Sequence, residues 1–502
     1  MWGNTSKIER ILFILLVLLS VGTWFVIFHA GYVLTYNDAA SHLNIARRVV
    51  DNLTPGLAQI GTVWLPLPHV FMLLFAWNDM LWHTAFAGSI VSMISFVVCA
   101  FFVYKTLMLL TKNKWSALIG TAIVAFNPNL LYLQSTPMTE PLFLATFTLS
   151  IYFFVRYMEF EQIVDLVLTG VCVALATLTR YDGWFLFVAL LIIIPLRALI
   201  TKSSKKAEGA LFLFACIGGF GIALWLLWNL TIFHDALYFI TGPYSAYAQQ
   251  KVLRSVGQLP TQGNLLTALS YFTWSVIDNN GFILTGLSFI AVCVLITRFK
   301  DKKTWYLILA LSSPFVFNII ALFTGQSAMN VPQAAANPGY FNIRYGMLVL
   351  PSIAILIGML SDRRVFRYIA VIAISIQLIW FVFSGYPVTL TDGILGLKNT
   401  YYTVEASTWL REHYAGGLIL TSLASHDAFV ARAGLPMRNY IHEGTREYWQ
   451  NALLHPSHQA QYIATLSYPP DVVYRALAKN PDFIKNYTLV HSYGTFGIYE
   501  RK

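Results

Sequence analysis

The chain has 502 residues, of which 57% are apolar and only 11% charged, whereas about a quarter of the residues in a soluble globular domain are charged. A water-soluble protein of this size is excluded. The net charge of +10 is spread in short basic runs between apolar segments; that pattern fits membrane topology and argues against nucleic-acid binding.

Apolar runs of spanning length recur at 11–33, 83–104, 115–134, 141–158, 163–179, 184–200, 209–230, 282–298, 304–323, 345–361 and 368–386, each bounded by polar, Pro or Gly residues. They predict a polytopic α-helical membrane protein of about 11 spans. The first run follows Lys7 and Arg10. It is too long for the apolar stretch of a signal peptide and lacks a small-residue cleavage site, so it reads as a retained helix. With the N-terminus cytoplasmic, most basic residues fall in inner loops, as the positive-inside rule requires. The odd number of spans then puts the C-terminus outside the cytoplasmic membrane. Cys99, Cys172, Cys216 and Cys293 all lie in apolar runs, which offers neither a disulfide framework nor a cysteine zinc site.

Six cations fall on the outer side instead: Arg47, Arg48, Arg180, Lys251, Arg254 and Arg344. They have no topological task there and call for another role. The outer segments 34–82, 231–280 and 324–343 are also the long ones, and long loops tend to carry binding residues. The run 265–277 is too short to span comfortably and reads as an outer, partly embedded helix. These segments and the spans make up a membrane unit, 1–386. From 387 onward charged residues become frequent. Strand-like runs 418–423, 462–467 and 487–491 alternate there with helical patterns 424–433, 445–454 and 471–478, predicting a small extracytoplasmic α/β unit, 387–502. It has no glycine-rich phosphate fingerprint, so no cofactor is assigned to it.

Four short constellations carry chemistry. In "YNDAASHLNIARRVVDN", Asn37 is placed to cap a membrane-surface helix with Asp38 in its first turn and His42 one turn later, where the dipole and free amides favour an anion. In "STPMTEPLF", Glu140 opens the fourth span between two prolines, and a carboxylate at membrane depth is costly enough to suggest function. "LTRYDGW" brings Arg180, Tyr181, Asp182 and Trp184 to the outer end of the fifth span, and "FNIRYGMLVLP" brings Arg344 and Tyr345 to the tenth. Lys251 and Arg254 add cations from the loop 231–280, and Trp64 of "IGTVWLPLPHV" could stack on a sugar face. For each acid the alternative is an ordinary helix-start residue, for His42 a hydrogen-bonded interfacial imidazole, and for "LTRYDGW" an interfacial anchor with a local Arg180–Asp182 pair. Together the residues form carboxylates and guanidiniums at the outer lipid boundary, where a lipid carrier's phosphate sits. Arginine suits bidentate phosphate contact better than lysine.

The order "NDAASHLNIARR", "PMTEP", "LTRYDGW" and "RYGMLVLP", on about 11 spans with an outer C-terminal unit, resembles the GT-C superfamily of polyprenyl-phosphate-sugar-dependent glycosyltransferases. The bacterial relatives of the protein O-mannosyltransferases and of the aminoarabinose transferase are the nearest in character. The resemblance covers most of 1–386 and implies transfer of a sugar from a polyprenyl-phosphate donor to an extracytoplasmic acceptor with inversion. It implies Asp38 as general base, Glu140 as the second acid, and Arg344 supported by Arg180, Lys251 and Arg254 on the donor phosphate. His42, Tyr181, Asp182, Tyr345 and Trp64 are the further candidate contacts. The family commonly shows two adjacent acids where this chain has Asn37 before Asp38. A divalent cation, Mg or Mn, held by Asp38, His42 and Glu140 is therefore an option and no requirement. The expected partners are the lipid-linked sugar, the bilayer, and a glycan, lipid or protein acceptor, without nucleic acid. A flippase or transporter of lipid-linked sugars, and a non-catalytic membrane scaffold, are the rival readings.

Overall fold

The computed structural model describes residues 6–200, 204–243, 245–298, 302–334, 338–385 and 387–502. Residues 1–5 and 386 of the predicted membrane unit, and 201–203, 244, 299–301 and 335–337 of its loops and spans, lie outside the described residues. Helical segments occupy every predicted spanning run. Lys7–His29, Phe86–Thr111, Glu140–Phe160, Lys205–Phe233, Ile343–Leu360 and Arg364–Phe383 are each long and apolar enough to cross a bilayer. Two more crossings are available as bent pairs: Leu265–Asn280 with Phe282–Thr297, turned by 113°, and Lys302–Leu311 with Ser313–Thr324, turned by 44°. Lys114–Ala125, Ile163–Thr177 and Asp182–Ile200 occupy the remaining predicted runs.

Burial separates these helices. The apolar windows of Phe86–Thr111, Glu140–Phe160 and Ile343–Leu360 are 67, 83 and 89% buried within the protein, against 11% for Lys7–His29 and 22% for Lys205–Phe233. Apolar faces that open are untenable in water and ordinary against lipid. The chain is a multi-pass membrane protein with those three helices at its centre.

Local sequence explains the helix ends. Ser6 and Glu9 close a capping box at 3.3 and 3.2 Å on the first helix, each satisfying an otherwise orphaned amide. Pro141 and Pro314 occupy first turns, where the missing N–H forfeits no bond. The predicted helix at 265–277 is present and extends over Leu265–Asn280. Asn264 caps it, accepting from Thr267 N at 3.0 Å, and Gly281 ends it at φ +88°. A Cβ on Gly281 would lie 1.9 Å from Gln377 Cδ, so both conformation and space require glycine at this bend.

At the C-terminal end, β1 (Leu418–Thr421), β2 (Tyr440–Ile441), β3 (Ala460–Leu466), β4 (Tyr487–Tyr493) and β5 (Phe496–Arg501) form one sheet in the order β2-β1-β3-β5-β4. β1 runs parallel to β2 and β3, while β5 is antiparallel to β3 and β4. β1, β3 and β4 fall on predicted strands, and Leu423–Arg432, Glu447–Leu454 and Val472–Leu477 on predicted helices. β2, β5 and the helix Tyr402–His413 have no predicted counterpart.

The sheet unit shares an apolar core with the loop 34–82. Leu43, Ala46, Met72 and Trp82 pack in one cluster with Leu410, Ile419, Phe429 and Tyr440. The helix expected at the membrane surface is thereby packed inside protein. Asn37–Arg47 is buried from Ala39 to Arg47, covered by Leu67–Ala76 and Leu423–Arg432. Nor does Asn37 cap it, because Tyr36 holds the cap position and no side-chain cap bond forms.

Candidate active site

Four segments distant in sequence meet at one end of the bundle. Asp38 stands in the first turn of Asn37–Arg47, and Glu140 begins Glu140–Phe160. Arg180 lies on the connection into Asp182–Ile200, and Arg344 on the 3-10 turn Ile343–Val349. Arg344 bridges the two acids: Nη2 donates to Asp38 Oδ2, and Nε to Glu140 Oε1 at 3.1 Å. Arg180 Nη1 donates to that same glutamate oxygen and to Thr139 Oγ1, both at 3.2 Å, while its Nε reaches Asp182 Oδ2 at 3.3 Å. Asn318 Nδ2 donates to the other Asp182 oxygen at 2.8 Å. The Tyr345 ring lies 4.7 Å from the Arg180 guanidinium and 5.2 Å from that of Arg344, with Tyr36 at 5.0 Å from Arg344. Three carboxylates thus face two guanidiniums, and aromatic faces add cation–π stabilisation.

The two acids bridged by Arg344 differ in access. Glu140 is fully buried and its Oε2 has no hydrogen-bond partner among the described residues, whereas the Asp38 side chain is 37% exposed. A molecule arriving from solvent therefore reaches Asp38, while Glu140 anchors both arginines; a buried carboxylate needs such pairing.

The turn that carries Arg344 is fixed by amides that the sequence reading did not single out. Ser275 Oγ and Asn279 Nδ2 each donate to Ile343 O at 2.7 Å, and Asn280 Nδ2 donates to Gly346 O at 2.9 Å. A Cβ on Gly346 would fall 2.2 Å from Ser275 O, so glycine lets the turn press against Leu265–Asn280. The available sequence clue is "IDNNG" at the end of an apolar run, since amides at that depth need partners.

His42 Nδ1 lies 2.9 Å from His69 Nε2, and its ring is 4.4 Å from that of Trp64. Burial first, then the charges of Arg344 and Arg180, push the His42 pKa down to about 3. His69 is held well below the ordinary histidine value by burial, with the His42 and Arg48 charges adding to it. The pair is neutral at neutral pH, one ring donating to the other. Tyr181 packs against Trp184 and Phe239 at 5.4 and 5.8 Å.

Lys251 and Arg254 stand exposed on Ala246–Ser255, and among the described residues neither pairs with these acids. Arg47 pairs with Asp51 at 2.7 Å over the Trp82 ring, and Arg48 Nε donates to Gln59 O at 2.5 Å, so both serve the loop's own structure. Asp38, His42 and Glu140, the candidate cation ligands, each face another partner. Arg344 stands between the two acids and His42 Nδ1 turns to His69. Among the described residues no group of three His, Cys, Asp or Glu is arranged to hold a metal.

Residues 68–228 match the family model described as dolichyl-phosphate-mannose-protein mannosyltransferase. No curated protein matches the chain significantly. Among solved structures, the chain is similar to ArnT from Cupriavidus metallidurans bound to undecaprenyl phosphate, with 12% identity over 97% of each chain and a TM-score of 0.56. It is also similar to the oligosaccharyltransferase AglB from Archaeoglobus fulgidus in complex with an inhibitory peptide and a dolichol-phosphate, with 11% identity over 99% of this chain and 74% of that one, at a TM-score of 0.50. The apo form of the Archaeoglobus fulgidus oligosaccharyltransferase gives 12% identity, coverage of 100% and 75%, and a TM-score of 0.52. The chain has the GT-C fold, the architecture of these membrane glycosyltransferases.

Proposed function

We propose that the chain is an inverting glycosyltransferase, moving a sugar from a polyprenyl-phosphate carrier to a glycan, lipid or protein hydroxyl outside the cytoplasmic membrane. The observation that carries this reading is the Arg344 bridge between an exposed and a buried acid, with Arg180 on the same Glu140 oxygen. The fold neighbours holding undecaprenyl phosphate and dolichol-phosphate support it, as does the match over 68–228.

The mechanism follows from that bridge. When a carrier phosphate enters, Arg344 exchanges Asp38 for a phosphate oxygen while its Nε stays on Glu140. A guanidinium about 4 Å from a phosphate charge is worth ~4 kcal/mol at an effective dielectric near 20. The exchange frees an Asp38 oxygen to accept the acceptor's hydroxyl proton, a step worth ~10²- to 10⁴-fold. The acceptor oxygen bonds to the anomeric carbon from the face opposite the phosphate, the carbon–phosphate-oxygen bond breaks, and both electrons leave with the phosphate. Arg344 and Arg180 stabilise the charge that develops there. His42, one turn from Asp38, packs against Trp64, whose ring offers an aromatic face to a sugar.

The test uses the purified protein with undecaprenyl-phosphate-linked mannose and a membrane extract as acceptor, following release of undecaprenyl phosphate. Release by native protein and its loss in Asp38→Asn are expected. Movement of the intact lipid across liposomes by Asp38→Asn without bond cleavage would instead make the protein a flippase.

A further inference from the structure

The segment "ASHDAF" in the C-terminal unit holds buried polar groups that the mechanism above does not use. His426 is fully buried, and its φ of −131° and ψ of 32° interrupt Leu423–Arg432. His426 Nε2 lies 2.7 Å from Asp471 Oδ2, and the Tyr402 hydroxyl 3.3 Å from Nδ1. Asp471 also accepts from Leu466 N at 2.9 Å and Val473 N at 2.8 Å. His426 is therefore tied to the end of β3. The kink sends the next residue to another partner. Asp427 Oδ2 accepts from Ser41 Oγ at 2.5 Å, and Asn44 Nδ2 donates to Asp427 Oδ1 and O at 3.2 and 2.9 Å. Trp82 Nε1 donates to Asn44 Oδ1 at 3.2 Å, which fixes the orientation of that amide.

Ser41 lies three residues after Asp38 and Asn44 three after Ser41, so all three sit along one stretch of helix surface. One end of Asn37–Arg47 holds the exposed acid, and the clamp on Asp427 grips its middle. A second tie lies at the far end, where Asp51 pairs with Arg47 and accepts from Met437 N at 3.0 Å. A helix gripped in this way has its rotation and axial position set by the C-terminal unit.

We propose that Asp427 is a positioning residue for the transfer reaction, holding Asn37–Arg47 so that Asp38 meets both Arg344 and the acceptor. The C-terminal unit is then part of the acceptor side of the site. The inference rests on the reading of Asp38 as base. Because the proposed base sits on the helix that Asp427 holds, loosening the clamp slows turnover more than it weakens donor binding, since Glu140, Arg180 and Arg344 do not lie on that helix.

The test measures hydrogen exchange over 37–47 and steady-state transfer from undecaprenyl-phosphate mannose, both on the full chain. Asp427→Ala should speed exchange and lower kcat by about tenfold, the loss of one or two buried hydrogen bonds, with donor KM within about threefold. Asp427→Asn should stay within about threefold of native on both readouts. Its amide oxygen still accepts from Asn44, its NH₂ donates to Ser41 Oγ, and the Ser41 hydroxyl has Asn37 O at 3.1 Å as its own acceptor. Should Asp427→Ala fail to fold, Asn44→Ala removes the clamp from the helix side and should reproduce the kcat loss. Native exchange and native kcat in the alanine variants would overturn the proposal, as would an Asn variant as impaired as the alanine one. Transfer surviving in Asp38→Asn would sink the base reading alone, because exchange over 37–47 reports the clamp independently of chemistry.

Discussion

Substituting Asp38 by Asn should separate carrier binding from turnover, in opposite directions. Arg344 donates to both Asp38 and Glu140, so phosphate must displace Asp38 from the guanidinium. The Asp38 side chain is 37% exposed, and solvent screening limits such a pair to about 1 kcal/mol. Removing that competitor should tighten binding of undecaprenyl phosphate by up to about fivefold, at 1.4 kcal/mol per tenfold. Loss of the base should lower transfer by ~10²- to 10⁴-fold. Arg344→Ala is the counterpart. It forfeits about 4 kcal/mol of phosphate contact and regains about 1 by sparing the Asp38 exchange, leaving a dissociation constant roughly 100-fold weaker. Ligand-induced thermal shifts and native mass spectrometry on detergent-solubilised protein give the binding; released undecaprenyl phosphate gives the rate. Weaker carrier binding by Asp38→Asn, or transfer above about a tenth of native, is incompatible with the exchange mechanism.

Further outcomes follow from the same geometry. Gly346→Ala sets a Cβ 2.2 Å from a backbone oxygen, so the Arg344 turn must shift; about 1–3 kcal/mol of stability should go, seen as a lower melting temperature together with weaker carrier binding. Asn279→Leu leaves Ile343 O with the Ser275 hydroxyl alone and should destabilise by about 0.5–1.5 kcal/mol, which thermal unfolding would register. His42, held down to about 3 by burial and by Arg344 and Arg180, takes up its proton near pH 6.5 only in the unfolded chain. The unfolded state then binds more protons, so stability falls as pH drops below about 6.5, by about 2 kcal/mol at pH 5. Melting curves of His42→Gln between pH 7 and 5 should be flatter than native ones. Lys251→Ala and Arg254→Ala, outside the cluster, should change the undecaprenyl phosphate dissociation constant by less than about threefold.

The spans are legible because lipid demands about 20 apolar residues at a stretch, and the runs are long enough to show it. Asp38, Glu140, Arg180 and Arg344 are legible for the converse reason: charge at the lipid boundary is expensive and stands out. Lys251 and Arg254 share that signature and yet, among the described residues, pair with none of these acids, since charge placement alone does not tell a surface helix from a site. His69, Asn279, Asn280 and Asp427 escape notice because each works through a partner tens to hundreds of residues away, as in the Asn44–Asp427 contact, and no local periodicity encodes such pairings. The burial of the helix at 37–47 goes unread for the same reason. Its polar side looks water-facing in sequence because Ser41 and Asn44 bond to a carboxylate from the other end of the chain. β2 spans two residues, too short for an alternation to register.

The core that loop 34–82 shares with the sheet unit constrains how such a protein can be recombined. Exchanging the tail alone between homologues would graft a foreign surface onto the buried helix, and exchanging the loop alone would do the same from the other side. Chimeras intended to alter acceptor preference should therefore carry both pieces together, and inheritance of the two as a linked cassette is what the shared packing favours.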